Sequence, residues 1–570
     1  MSRTRCAVAP EKIKRVLRGT FGLTRLRDGQ EAVIARVLAG LSTLALMPTG
    51  AGKSLCYQLP AMLMEGRTLV ISPLIALMKD QCDSLRDLGI AAIELHSGLS
   101  AAELDLSRVA LADGSARIVF TTPEQLLNAE FISELTVRPV SLLVVDESHC
   151  LSQWGFDFRP AFLEIGAARE SLGRPPVLAL TATATDAVVD DITELLSIPR
   201  AGVIGIDPYR PNLRYRAEHF SRAEDKMARL VALVSASEGA GLVYCATVKA
   251  AELVHEALIS AGENAGLYHG RLSSTKRHAA QDALMEGKVR VVVATNAFGL
   301  GIDKPDIRFV IHHQVPAGLD AYCQESGRAG RDGLPADCTL LFVDADRSVQ
   351  QFFLSGRYPS LHDFQRVIAA LRSAPDGDRG WDVDTLSEHI GNRRKSTVAV
   401  HMLRQQGLLS LDAQDRLHLC DATSDTQGLQ TLATACEAKA VRDQTMLEQM
   451  IAYAQSGRCR WQLLLDHLGG TPMTERCGTC DNCLRLAAHE TERAIAPLSS
   501  ERPDAPTRPG FAVGQRVRTR RHGHADVIAT DALSVTVRFD NGLTRCFQPE
   551  FLRVSTSRSV LRPEQGVIGA

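Results

Sequence analysis

The chain has 570 residues, 45% of them hydrophobic and 23% charged, and a net charge of −2. That length is too great for one hydrophobic core and implies roughly three to five domains. The composition is that of a soluble globular protein, no uncharged apolar run approaches the ~20 residues that span a bilayer, and the charge excludes coating nucleic acid by positive charge alone.

The opening stretch, MSRTRCAVAPEKIKRVLRG, has basic residues but no continuous apolar run or cleavage region. A cytoplasmic, nucleoid-associated protein with no membrane partner is therefore expected. From residue 41 to about 345, apolar β-rich runs alternate with helical patterns. The expected strands are 43–47, 67–72, 116–122, 141–147 and 176–183. After a turn-rich gap at IDPYRPNLRY (206–215) come 241–247, 290–296, 307–313 and 339–343. Near-continuous apolar strands separated by helices predict parallel sheets covered on both faces. The fold class is thus α/β, with tandem domains at 1–206 and 207–345.

Residues 346–440 read as mainly helical. The stretch 381–409 has helix-turn-helix or winged-helix spacing, with an ordinary helical pair as the alternative. A cysteine group marks 441–486, and a Pro-rich linker covers 487–510. Alternating Val, Arg and Thr at 511–554 predict a small SH3-like β-barrel of about five strands, before a tail at 555–570. Basic patches occur at GNRRKST (391–397), RCRW (458–461) and RTRRHGH (518–524). Each is either a nucleic-acid contact or a solvated surface.

LALMPTGAGKSLCYQLP (44–60) has the pattern of a phosphate-binding turn, except that Met47 stands where G-x-x-x-x-G-K-[ST] begins with glycine. Thr49, Gly50 and Gly52 belong to the turn. The glycines let successive N–H groups face one point, at the positive end of the following helix. Lys53 can reach the β- and γ-phosphates, and Ser54 can hold Mg²⁺. Taken alone, the run is also compatible with a plain Gly-rich β–α turn. SLLVVDESHC (141–150) adds two carboxylates at a strand end. Asp146 suits a partner of Mg²⁺ and Glu147 a base for the attacking water, with His149 beside them. QESGRAGRDG (324–333) offers Arg328 and Arg331 as arginine fingers across a domain interface.

With these residues in place, the chain resembles the RecQ family of superfamily-two DNA helicases over about 20–345 and 440–485. The resemblance rests also on FGLTRLRDGQ (21–30), VISPLIALMKDQ (70–81), TTPE (121–124), LALTATAT (178–185), YHGRL (268–272) and ATNAFGLGIDKPDIRFVIH (294–312). It implies two RecA-like domains, ATP as substrate, adenine read by Gln30, and 3′→5′ movement on DNA in repair or recombination. The expected partners are single strands and tailed or forked duplexes. SQWGFDFRP (152–160) resembles the family's aromatic-rich loop, in which Trp154 and Phe158 would stack on bases and Arg159 would meet phosphate. Phe156 departs from the histidine usual there.

Cys459, Cys477, Cys480 and Cys483 form C-x₁₇-C-x₂-C-x₂-C, a spacing that can close a tetrahedral Zn²⁺ site. CGTCDNC resembles the RecQ zinc module, which would lay Arg458 and Arg460 along DNA. Beyond residue 485 the resemblance stops, so the barrel's partner is DNA or another protein. The function implied is an ATP-dependent helicase; the alternative is a DNA-binding or strand-annealing scaffold whose ATPase is only regulatory.

Overall fold

A computed structural model describes residues 9–73, 75–153, 165–182, 184–298, 304–373, 381–391, 393–412, 416–420, 426–495, 510–519, 523–531 and 534–555. Two parallel sheets carry the first part of the chain. The first comprises β1 Thr43–Leu46, β2 Arg67–Ile71, β3 Ala92–Leu95, β4 Ile118–Thr121, β5 Val140–Val145, β6 Val177–Thr181 and β7 Val203–Gly205, ordered β3-β4-β2-β5-β6-β1-β7. The second comprises β8 Leu213–Phe220, β9 Ala240–Tyr244, β10 Ala265–Tyr268, β11 Val291–Ala294, β12 Ile307–His312 and β13 Ala336–Val343, ordered β10-β11-β9-β12-β13-β8. Every strand expected from the sequence is present.

Four others, β3, β7, β8 and β10, were not foreseen, and β8 begins inside the stretch read as a gap. All four are sheet edges. Interior strands are buried on both faces and are mainly apolar. The edge strands β7, β8 and β10 are partly exposed and so tolerate sequences such as LRYRAEHF, whereas β3 is buried throughout and holds Glu94, whose carboxylate lies 3.3 Å from His96 Nε2.

The order of the first sheet reverses at β1, so the loop after β1 opens at a switch point beyond the carboxyl ends of the strands, where α/β sheets hold ligands. The chain crosses from one sheet to the other between Gly205 and Leu213. Helices Asp346–Leu354, Leu361–Arg372, Val383–Ile390 and Arg393–Gln405 follow, with a small hairpin of β14 Leu409–Leu411 and β15 Leu417–Leu419. Gly391 ends the third of these helices at φ 81°, a left-handed cap that glycine adopts without strain.

One helix then runs Thr426–Gln455, and shorter helices Arg460–Leu468 and Asp481–Ile495 flank the cysteine group. Last comes a five-stranded antiparallel sheet: β16 Arg516–Thr519, β17 Gly523–Thr530, β18 Val535–Phe539, β19 Thr544–Phe547 and β20 Leu552–Val554, ordered β19-β18-β17-β16-β20. Its inner face buries Val517, Ala525, Val527, Val537 and Phe547.

The cysteine module has no core of its own. Trp461, Leu464, Leu465, Cys480 and Cys483 belong to the same apolar cluster as Leu213, Tyr215, Tyr322 and Phe342 of the second lobe. Trp461 Nε1 donates to the Leu213 carbonyl at 3.1 Å, and Asp481 accepts from the Ala217 amide at 3.1 Å. Both bonds satisfy the open edge of β8, as an exposed sheet edge requires.

Candidate functional site

The phosphate turn joins β1 to helix Leu55–Leu63. Met47 is fully buried, and its sulfur lies 3.7 Å from Cys56 Sγ, so its side chain points into the core and away from the turn. The leading glycine is dispensable here for that reason. Gly50 and Gly52 hold φ values of 85° and 78°, the left-handed region that side chains rarely adopt. A Cβ on Gly52 would stand 2.6 Å from Gln30 Nε2, and one on Gly50 would stand 3.2 Å from Arg331 Cγ. Lys53 Nζ donates to the Met47 carbonyl at 3.4 Å.

Gln30, almost wholly buried, donates through Nε2 to the carbonyls of Ala51 and Gly52 at 3.1 and 2.9 Å and accepts from the Arg27 amide at 2.8 Å. Arg27 also donates to the Gly50 carbonyl. Sequence reading missed Arg27, although it lies inside the FGLTRLRDGQ block that was singled out.

Asp146 and Glu147 stand at the end of β5. Burial, reinforced by the neighbouring Glu147 charge and opposed by Lys53, pushes the Asp146 carboxyl up to about 7. Glu147 has φ 49°, an uncommon conformation for a side-chain-bearing residue and one that clusters at functional sites. Its Oε2 lies 3.4 Å from His149 Nδ1, which is 3.0 Å from Thr181 Oγ1. Burial lowers the His149 pKa and favours the neutral ring. His149 thus packs behind Glu147 and is held by Thr181, while Glu147 Oε2 itself has no hydrogen-bond partner among the described residues.

Across the gap, the turn after helix Leu319–Ser326 presses on the phosphate loop. A Cβ at Gly327 would meet Thr49 Oγ1 at 2.7 Å, and Arg210 fixes this turn by donating to the Gly327 and Ala329 carbonyls at 2.8 Å each. A cleft of about 400 Å³ results. Its walls include Gln30, Thr49, Gly50, Gly52, Lys53, Ser54, Asp146 and Glu147 from the first lobe, and Arg328 and Arg331 from the second. Arg328 is 3% exposed, and its Nε has no hydrogen-bond partner among the described residues. A buried guanidinium with an unsatisfied N–H calls for an anion. Loop amides, a lysine and two arginines facing two carboxylates can hold a triphosphate and place water beside it. Trp154, Phe156, Phe158 and Arg159 lie outside the described residues.

The four sulfurs of Cys459, Cys477, Cys480 and Cys483 all lie within 4.8 Å of one another, with Cys477 and Cys483 at 3.8 Å. A Zn–S₄ tetrahedron has sulfur–sulfur edges of about 3.8 Å, so the set fits zinc. The Arg460 and Cys483 amides approach Cys480 Sγ at 3.4 and 3.5 Å, the outer hydrogen bonding that thiolate ligands need. The expected DNA contact fails for Arg460, which is fully buried and forms a two-pronged pair with Asp481 at 2.9 and 3.1 Å, tying the cysteine module to itself. Arg458 is half-exposed and pairs with Asp466 at 2.9 Å on the surface.

The chain matches the DEAD/DEAH box helicase family over residues 27–192, the helicase conserved C-terminal domain over 225–333 and the RecQ zinc-binding domain over 422–484. It is 35% identical over 491 residues to the ATP-dependent DNA helicase RecQ of Synechocystis, covering 83% of this chain and 98% of that one. The chain belongs to the RecQ family. Another relative of this RecQ chain, the probable ATP-dependent DNA helicase RecS of Bacillus subtilis, is 37% identical over 396 residues, 69% of this chain and 79% of that one. RecQ of the same Bacillus is 43% identical over 339 residues, and the match spans little more than half of its length. Among solved structures, yeast Dbp5 bound to RNA and ADP BeF3 matches at a TM-score of 0.51 and 19% identity, covering 61% of this RecQ chain and 92% of that one. The Mycobacterium smegmatis helicase Lhr matches at 0.50 and 20%, covering 86% and 67%. Both likenesses concern the fold.

Proposed function

We propose that this RecQ-family chain is an ATP-dependent DNA helicase that moves 3′→5′ along one strand. Residues 1–206 and 207–345 form its two motor lobes, and 441–486 forms its zinc module. The observation that carries this reading is the cleft, where Arg328 and Arg331 of one lobe face Lys53, Asp146 and Glu147 of the other.

Lys53 and the loop amides hold the β- and γ-phosphates. Ser54 and Asp146 would hold Mg²⁺, which supplies charge neutralisation at the phosphates. Glu147 orients the attacking water and takes its proton. Arg328 and Arg331 meet the charge that develops at the γ-phosphate, which requires the lobes to close. Gln30 trades its bonds to the Ala51 and Gly52 carbonyls for the adenine edge, so base recognition is felt by the phosphate loop. Hydrolysis releases the lobes, and alternate closing and opening moves the strand.

Trp154, Phe158 and Arg159 contact the single strand. The segment 346–440 acts as a winged-helix-like unit, and the terminal sheet as an SH3- or Tudor-like barrel. A tailed or forked duplex in a cytoplasmic, nucleoid repair setting is the substrate.

Lys53→Ala is expected to abolish ATP hydrolysis and strand displacement from a 3′-tailed duplex while leaving the melting profile unchanged. A folded variant with near-wild-type hydrolysis would refute the assignment. Wild-type protein that binds the duplex without displacing it, and whose hydrolysis ignores DNA, would favour the scaffold reading instead.

A further inference from the structure

Residues 511–554 contain seven arginines and no lysine against four carboxylates, whereas the whole chain has a net charge of −2. The arginines are not evenly spread. On β16, Val517 and Thr519 face inward, so Arg516 and Arg518 face outward. Arg516 is neutralised, since it donates to Asp526 at 3.0 Å and to Asp540 at 2.5 Å.

Arg518 has the opposite surroundings. Strand register sets it directly across from Arg553 on β20 and from His524 on β17. Both arginines are exposed, and among the described residues no carboxylate forms an ion pair with either. Among the described residues, the His524 ring bonds to the Ser555 hydroxyl, at 3.2 Å. Like charges directly opposite one another destabilise a sheet, so this row weakens the sheet it sits on. The nearby acids that could relieve it, Asp526 and Asp540, are occupied by Arg516.

We propose that the row His524–Arg518–Arg553 contacts the phosphate backbone of DNA, giving the helicase a grip outside the motor cleft. This rests on the DNA-helicase reading above. A repeating line of phosphates is the ligand whose charge matches three adjacent strands presenting basic side chains. The row is also held fast to the engine. The Gln548 amide donates to the Gln455 carbonyl at 3.2 Å, and the Phe551 ring lies 4.8 Å from that of His219 on β8. A Cβ on Gly457 would stand 2.5 Å from Ser534, so the sheet packs backbone-close on the zinc module. DNA held on the row therefore stays near the translocating lobes and raises the local concentration of substrate there.

The test uses the full chain and a fluorescent 3′-tailed duplex, with affinity measured across a salt series. R518A/R553A is expected to weaken binding roughly tenfold and to flatten the log-affinity against log-salt slope by about 2, near 0.9 per lost phosphate contact. DNA-free ATP hydrolysis stays at the wild-type rate. R518E sets a carboxylate opposite Arg553, so it is expected to keep or raise the melting temperature while weakening DNA binding further. Unchanged affinity and slope in both variants would overturn the proposal and turn the row over to an acidic protein surface. Weaker binding accompanied by a lower melting temperature in R518E would also overturn it, since the row would then be structural. A wild-type chain that binds no DNA at all would instead defeat the helicase reading itself.

Discussion

Lys226 and Asp346 are buried together, with Nζ 2.9 Å from both carboxylate oxygens. Asp346 also accepts from the Val343 amide at 3.0 Å, so the pair ties the helix after β8 to the end of β13. Asp346→Asn leaves an ammonium buried without its counter-charge. The expected loss is about 3–5 kcal/mol by denaturant unfolding, with the cleft residues untouched. His313 shows the cost of burial in another form. Desolvation, aided by the Lys226 charge, lowers its pKa from 6.5 to about 3. Below 6.5 the unfolded chain takes up a proton that the folded one refuses, so stability falls as pH drops from about 6.5 towards 3. The slope from this one group approaches about 1.4 kcal/mol per pH unit. His313→Gln is expected to flatten the acid limb of the melting-temperature profile, and an unaltered limb would remove His313 as its source. Single residues also mark where sequence reading falls short. Arg460 sits in a basic run, yet Asp481, twenty-one residues later, neutralises it inside the fold. Charge along the chain does not reveal which charges are already paired in space.

Strands were legible where apolar runs were long. The nine interior strands were read from such runs alone; the edges β7, β8 and β10 were missed because a partly exposed strand does not have to be apolar on both faces, and β3 because its four buried residues include Glu94. The phosphate turn was readable in spite of Met47, since Gly50, Gly52, Lys53 and Ser54 carry the geometry. The bond of His149 to Thr181 behind Glu147 was not, because it joins the turn after β5 to β6 across 32 positions. The zinc hairpin was legible as a ligand set but not as part of the second lobe. Its spacing gives the four thiols, whereas the Trp461 bond to Leu213 spans 248 positions. That bond changes what metal removal does. Cys480→Ser, or a strong chelator, is expected to lower the second lobe's own stability and to release about one zinc per chain. Hydrogen exchange should then rise along Leu213–Phe220. Zinc loss with β8 still protected would make the hairpin a mere appendage.

At the scale of the whole molecule, one face of the second lobe serves the cleft and its free edge serves the zinc module. The terminal sheet leans on both, through Phe551 and Gln548. The first lobe meets this assembly at the phosphate loop, where Thr49 and Gly50 touch Gly327 and Arg331, and at Gln281, which donates to Asp80 at 3.2 Å. A motor that must open and close is expected to concentrate its rigid joints on one side of the hinge and leave light contacts across it. That the second lobe, zinc module and terminal sheet share packing was invisible in a linear reading, which assigns each its own span.

The covered edge of β8 also dictates an order of birth. Its residues Leu213 and Ala217 leave the ribosome 248 and 264 residues before Trp461 and Asp481 arrive to cap them, so throughout that interval the nascent lobe carries an open hydrogen-bonding rim. Maturation of the engine therefore waits on a late segment and on the availability of a trace metal, and a starved cell would accumulate half-finished, sticky chains before it lost any catalytic group.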